Sequence, residues 1–204
     1  MLILQEVNRV KGASVAAFEK LTQQWWEEVK PMGVTPAWFF EVSHGTGPSY
    51  RVVTGVRILD WSTWEILARA MAYGELAATS ERLDATRYDS ESTLLEVRAV
   101  SGVGKWATGD THAPDEPGLW VLRSFVDIAS PGHAEPPEGS AIALHGCAGS
   151  LRDQTVVLSR EKPGAVLDLL TDRTGRSVSG RSPSSAESST STWVLRAAAW
   201  SPLQ

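Results

Sequence analysis

Two short strings, Ser43-His44-Gly45 and Leu144-His145-Gly146, lie 101 residues apart in a chain of 204, and each ends a β-prone run. Other pairs repeat at a similar spacing. Glu96-Val97-Arg98-Ala99 resembles Val194-Leu195-Arg196-Ala197, and Val52-Val53 to Arg57 resembles Val156-Val157 to Arg160 with a slip of one or two residues. Self-similarity near half the chain length limits the fold to two copies of one supersecondary unit.

The first half spells out that unit. Leu2 to Val7 is a short apolar-rich run suited to a strand, ended by Lys11-Gly12-Ala13. Ser14 is placed to cap a helix in which Val15, Phe18, Leu21, Trp25 and Val29 recur at helical spacing, with Pro31 and Gly33 as terminators. Trp25 belongs to that stripe. Trp26, about 100° further round, is expected at an edge or over a neighbouring strand. Ala37–Ser43 and Tyr50–Ile58 form a hairpin about the turn His44-Gly45-Thr46-Gly47-Pro48. Ser62-Thr63-Trp64-Glu65 fits a capping box for a second helix that Gly74 bends or breaks, with a further helical piece to about Asp84. Leu94–Val100 closes a β-α-β-β-α-β order, which is ferredoxin-like.

The second half is a degenerate copy. Leu119–Ile128 is a strand, Ala141–Cys147 and Thr155–Arg160 make a hairpin, Pro163 to Gly175 reads as a helix, and Trp193–Trp200 is a closing strand. Residues 130–139 carry Pro131, Gly132, Pro136, Pro137 and Gly139 and exclude the helix expected in that slot. Residues 177–192 are serine-dominated and are expected to be a loop. The division is therefore 1–100 as one ferredoxin-like repeat, 101–118 as linker and 119–204 as a degenerate repeat lacking its first helix. The fold class is α+β: two ferredoxin-like repeats forming one pseudo-dimeric α/β barrel.

Composition narrows the function. A net charge of −5 argues against nucleic-acid partners and polybasic membrane surfaces. No apolar run approaches a bilayer span, and Met1 to Val10 has no signal-peptide character, so the expected location is cytoplasmic. One cysteine, Cys147, precludes an internal disulfide and CxxC sites. His44, His112, His133 and His145 have no i, i+4 spacing with a carboxylate partner, so no metal is expected. No GxSxG elbow, Walker A or Rossmann glycine pattern is present. Nine tryptophans against three tyrosines and four phenylalanines mean that much aromatic surface is buried or presented somewhere.

The β-α-β-β-α-β order, Tyr50-Arg51-Val52-Val53-Thr54-Gly55-Val56 leading to Asp60-Trp61-Ser62-Thr63-Trp64, and the closing Ala199-Trp200-Ser201-Pro202-Leu203 resemble the dimeric α/β-barrel superfamily. The NIPSNAP-like branch is the nearer likeness and the antibiotic-biosynthesis monooxygenases are more distant cousins. The resemblance covers most of residues 1–100 and the second half loosely. It implies two sheets packed face to face in a barrel, here supplied by one fused chain, with a cavity in the barrel or between sheet and helices for hydrophobic ligands. Activities in the superfamily include cofactor-free oxygenation of aromatic polyketides, polyketide cyclisation and haem chemistry, and some members have none. The fold does not choose among them.

Candidate residues follow from chemistry and strand parity. His44 and His145 are candidate bases for a phenol or enol. Arg57 and Arg123 interrupt apolar strands and are candidates to stabilise an anion. Trp38 and Phe40 share parity with His44 and, with Tyr50, are the expected substrate-binding aromatics. The alternative is that the histidines only start turns, the arginines only form ion pairs and the aromatics only fill a core. Cys147 fits a buried small hydrophobe better than a nucleophile.

The expected function is cofactor-free oxygenation or cyclisation of a hydrophobic aromatic or polyketide-like substrate in secondary metabolism. The alternative is a non-catalytic NIPSNAP-like binding or scaffolding protein. No cofactor is expected, the partner is a hydrophobic small molecule, and the chain is a monomer or homodimer.

Overall fold

A computed structural model describes residues 1–45, 50–101, 119–126, 141–149, 151–152, 154–161, 189–198 and 201. The expected helix from Pro163 and the segments 102–118, 130–139 and 177–188 lie outside the described residues. The strands are β1 (Leu2–Val10), β2 (Thr35–Gly45), β3 (Arg51–Ile58), β4 (Arg87–Ser101), β5 (Leu119–Val126), β6 (Ala141–Gly149), β7 (Gln154–Glu161) and β8 (Ser189–Ala197). The helices are α1 (Val15–Val29), α2 (Trp61–Tyr73) and α3 (Ala77–Thr86).

The eight strands close into one barrel in the order β1-β3-β2-β8-β5-β7-β6-β4, with antiparallel neighbours throughout. The result is a mixed α/β molecule, strand-rich with a few helices. Alternation along each strand divides the apolar residues into two cores. Ile3, Trp38, Phe40, Val53, Leu95, Trp120, Leu122, Ile142, Leu144, Val156, Leu158 and Leu195 fill the barrel interior. Trp38 stacks on Phe40 at 6.3 Å between centroids, and Phe40 meets Trp120 at 5.9 Å. Leu2, Leu4, Phe39, Val52, Val56 and Leu94 face outward and meet α1, α2 and α3.

Several local expectations are corrected. The second helix is capped by Asp60, whose carboxylate accepts from the Thr63 N–H at 2.8 Å. Ser62 instead sits inside the helix, because the extended backbone at Asp60 brings its short side chain onto that donor first. That bond holds the Asp60 carboxyl below its usual range. Ser14 precedes α1 but makes no side-chain cap. Trp26, expected at an edge or over a neighbouring strand, is as buried as Trp25, because α1 packs against both the sheet and the neighbouring α3 and so buries a wide arc. Residues 189–192 of the serine-rich stretch are strand, since Ser191 and Thr192 pair with Ser124 and Arg123. Ser201 closes the chain against β2, its hydroxyl accepting from the Phe39 N–H at 3.0 Å.

Candidate functional site

Of the expected site residues whose side chains are described, Trp38, Phe40 and Arg57 share the barrel interior, and His145 and Tyr50 lie away from it. Trp38 and Phe40 are wholly buried in the barrel interior, packed against other side chains. Arg57 also points inward, near the opposite end of the barrel from Arg51. It donates from Nη2 to the Pro36 carbonyl at 2.9 Å, and burial pushes its guanidinium below the ordinary arginine value. His145 is half-buried and pairs with Glu96, which alternates with the inward Leu95 and Val97, so it lies on the outer wall. Arg57 and His145 are therefore on opposite sides of the sheet.

The backbone register of β2 with β8 shifts between Val42 and His44, and His44 pairs with Val194. Arg123 occupies the strand position after the inward Leu122, paired with Val157 and Thr192. The side chains of His44 and Arg123 lie outside the described residues. Tyr50 is exposed at the start of β3 with φ of 63°; its carbonyl accepts from Val10 N–H at 2.9 Å and its ring lies over Gly12. It supports that turn, away from the barrel interior.

Cys147 accompanies His145 on the outer wall, with its thiol 3.7 Å from the His145 carbonyl oxygen. Burial, then the nearby Glu96 carboxylate, raises its pKa above the ordinary thiol value. Less thiolate is then present at any pH below that value. Alkylation by iodoacetamide at pH 8 is expected to be slower than for an unstructured cysteine peptide. A faster rate would contradict this electrostatic account.

Among the described residues, a cavity lies elsewhere. Between the outer face of the sheet and the helices lies a space of about 160 Å³. Phe18, Trp25 and Trp26 of α1, with Met71 and Leu83, give it an apolar wall. Glu6, Thr54 and Arg87 supply polar groups. The helix aromatics reach it because Phe18, Trp25 and Trp26 fall on the broad buried arc of α1. Glu6 reaches it because it shares the outward parity of Leu2 and Leu4.

The polar end is connected. Arg87, whose side chain is only 13% exposed, lies 3.3 Å from the Glu6 carboxylate. Its Nη1 also donates to Asn8 Oδ1, and its Nε donates to Asp84 Oδ1 at 2.9 Å. Ser92 Oγ donates to Glu6 Oε1 at 3.4 Å, and Asn8 Nδ2 donates to Thr54 Oγ1 at 3.4 Å. A guanidinium and a carboxylate are thus held at one side of an aromatic space, an arrangement suited to an apolar ring carrying one polar substituent. Sequence reading missed this pair because Glu6 and Arg87 are 81 positions apart. The signal that existed was Glu6 and Asn8 sharing the parity of Leu2 and Leu4 on a strand face that a helix must cover.

No group of three or more potential metal-ligating His, Cys, Asp and Glu side chains is found among the described residues. No helix among them is long and apolar enough to cross a membrane.

Comparison with solved structures finds similar folds. The chain is similar to a candidate monooxygenase from Lactobacillus acidophilus NCFM, with TM-score 0.53 and 9% identity over 96% of this chain and 93% of that one. It is also similar to an anthrone oxidase-like protein, with TM-score 0.50 and 11% identity over 97% and 93% of the two chains. An uncharacterized NIPSNAP domain protein from Burkholderia xenovorans matches 46% of this chain and 91% of its own, with 19% identity and TM-score 0.38. The first two share the fold along nearly the whole chain. No family model matches the sequence, and no curated protein matches it.

Proposed function

We propose that the chain is a fused two-repeat α/β barrel that takes a small aromatic molecule into the space between its sheet and helices and oxygenates it without a cofactor. The repeat reading is supported by strand order. Around the barrel, β4-β1-β3-β2 is followed by β8-β5-β7-β6, the same order one copy later. The functional reading is supported above all by the aromatic cavity with Glu6 and Arg87 at one side. It also draws on the oxidase-like and monooxygenase-like names of the two full-length structural neighbours.

The chemistry follows from those two side chains. Glu6 accepts a proton from a ligand whose CH or OH is acidified by a neighbouring carbonyl or ring. Arg87 holds the resulting oxyanion. The electron-rich carbanion or phenolate then reacts with dioxygen directly. For an activated methylene the balance is CH2 plus O2 giving C=O plus H2O. The reading replaces His44 or His145 as base and Arg57 or Arg123 as anion partner with Glu6 and Arg87.

Size selects the ligand. A cavity of about 150 Å³ is known to accept benzene, whereas drug-sized sites run from about 300 Å³. At about 160 Å³ the space suits one substituted ring. A multi-ring polyketide requires α1 to move outward.

Titration with phenol, followed by tryptophan fluorescence, is expected to give saturable quenching. Ser80→Phe, which fills the cavity from α3, is expected to abolish it with little change in melting temperature. Arg87→Met is expected to lower turnover of an activated-methylene substrate by about a hundredfold, the scale of losing one anion-stabilising donor. Quenching that survives Ser80→Phe would place the ligand elsewhere.

A second reading has its own observation. The barrel interior is filled by Trp38, Phe40 and Trp120, as a non-catalytic scaffold would be. Saturable binding without oxygen uptake would favour that reading.

A further inference from the structure

Among the described residues, seven large hydrophobic side chains are exposed, and four of them, Leu59, Trp61, Ile66 and Tyr73, fall within α2 or just before it. Of the 13 residues of α2 only Leu67 is fully buried, and Met71 on the same side reaches the cavity. A helix rich in apolar residues that buries one side chain leaves its outer face for something else to cover.

The arrangement of that face says what covers it. At about 100° per residue, Glu65 and Arg69 lie on the side of α2 away from Leu67, each two residues from it. Both are exposed, and Arg69 Nη2 lies 2.6 Å from Glu65 Oε1. Ser62 and Ala72 are also exposed, five residues from Leu67 in either direction. Trp61 and Tyr73, six residues from Leu67, stand on opposite edges of the face. Trp61 shares its edge with Ala72, and Tyr73 shares the other with Ser62 and Ile66.

A two-fold axis over Leu67 turns this pattern onto itself. Two copies of α2 laid antiparallel about that axis place Glu65 of each beside Arg69 of the other. Towards the ends, Trp61 lies over Ala72 of the second copy and Tyr73 over its Ser62. Each large ring meets a small residue, and each carboxylate meets an opposite charge. That is the condition for an isologous contact, in which one patch must complement itself. The Glu65–Arg69 pair within each helix need not break, because a carboxylate has two oxygens and accepts from two guanidiniums. A partner of another kind would call for no such symmetry.

We propose that α2 is the contact face of a homodimer, in which a second copy of this chain packs antiparallel on it about a two-fold axis over Leu67. The strip that α2 presents is about 20 Å by 10 Å. It is smaller than the ~800 Å² per partner of a standard interface. The dimer is therefore of the weak, reversible kind, with Kd on the order of 10–100 µM. The face is independent of the proposed oxygenation, because Met71 turns to the cavity on the other side of the helix.

The test is sedimentation velocity of the full chain from about 1 µM to about 500 µM, which brackets that affinity. The wild type is expected to pass from monomer to dimer. Glu65→Arg and Arg69→Glu are each expected to stay monomeric throughout, because like charges then face each other across the axis. Mixed in equal amounts, these two variants are expected to form a heterodimer, since every pair across the axis is again of opposite sign. Far-UV circular dichroism checks that each variant is folded. If a charge reversal unfolds the chain, Ala72→Gln enlarges the small residue under Trp61 without changing charge and is expected to weaken the dimer about tenfold or more. A wild type that stays monomeric would overturn the proposal and leave α2 to another partner or to a segment of its own chain. A dimer that survives both charge reversals, or a mixture that stays monomeric, would overturn it equally.

Discussion

Gly55→Ala is expected to destabilise the protein by about 3 kcal/mol, near the upper end for overpacking a core. The reason is Trp38. A Cβ at Gly55 would lie 2.4 Å from Trp38 Cε2 and 2.7 Å from Nε1. The indole cannot step aside, because it is wholly buried and stacked on Phe40. Trp38 therefore occupies space that only glycine leaves open on β3. Trp38→Leu alone also destabilises, through lost burial and a cavity, by about 3 kcal/mol. In that background Gly55→Ala has room, and its cost is expected to fall below about 1 kcal/mol, a coupling of about 2 kcal/mol. Urea unfolding of the two single variants and the double variant measures it. Additive costs would mean that the glycine is needed for something other than the indole.

The second large effect concerns the repeated His-Gly string. Gly146→Ala would bring a Cβ within 1.7 Å of the Leu151 carbonyl oxygen and 2.6 Å of its carbonyl carbon. That obstacle is backbone. It belongs to the turn joining β6 and β7, where Arg152 N–H donates to the Gly149 carbonyl at 3.2 Å and Gln154 N–H to the Leu151 carbonyl at 3.1 Å. The turn must open for the methyl group to enter. A loss of about 4 kcal/mol or failure to fold is expected, in the range reserved for disruptive changes. His145→Ala, one residue away on the outer wall, is expected to cost less than about 1 kcal/mol. The inverse ranking in thermal melts would return the string's importance to the imidazole.

This contrast explains how far the sequence could be read. Hairpins, helix breaks and the ferredoxin-like element order were legible because each depends on neighbours: valine-rich alternation in 51–58, proline and glycine after Val29, Gly74 between α2 and α3. Barrel closure was expected only through the family resemblance, since no single strand announces its distant neighbour. The site was less legible because it depends on distant contacts. The register shift between Val42 and His44 was not legible, because nothing in the residues near it marks the bulge. The width of the buried arc on α1 depends on α3 lying beside it, so whether Trp26 lies at an edge or under cover is not decided until both helices are in place. Glu6 and Arg87 meet only because β1 and β4 are neighbours in the barrel. The aromatic wealth was correctly noticed but divides between two jobs: Trp38, Phe40 and Trp120 fill the lumen, while Phe18, Trp25 and Trp26 line the cavity.

The order in which the strands close the barrel sets a schedule for synthesis. β2 finds β3 immediately, but its other edge waits for β8, which begins at Ser189. β5 likewise finds β7 but needs β8 on its far side. Until β8 leaves the ribosome, the described strands of a nascent chain carry two unpaired edges flanking one gap, each a template for a foreign strand. Pairing across so long a separation is also slow. β8 is therefore both the keystone of the native barrel and the segment whose delay most exposes the chain to association with its own kind.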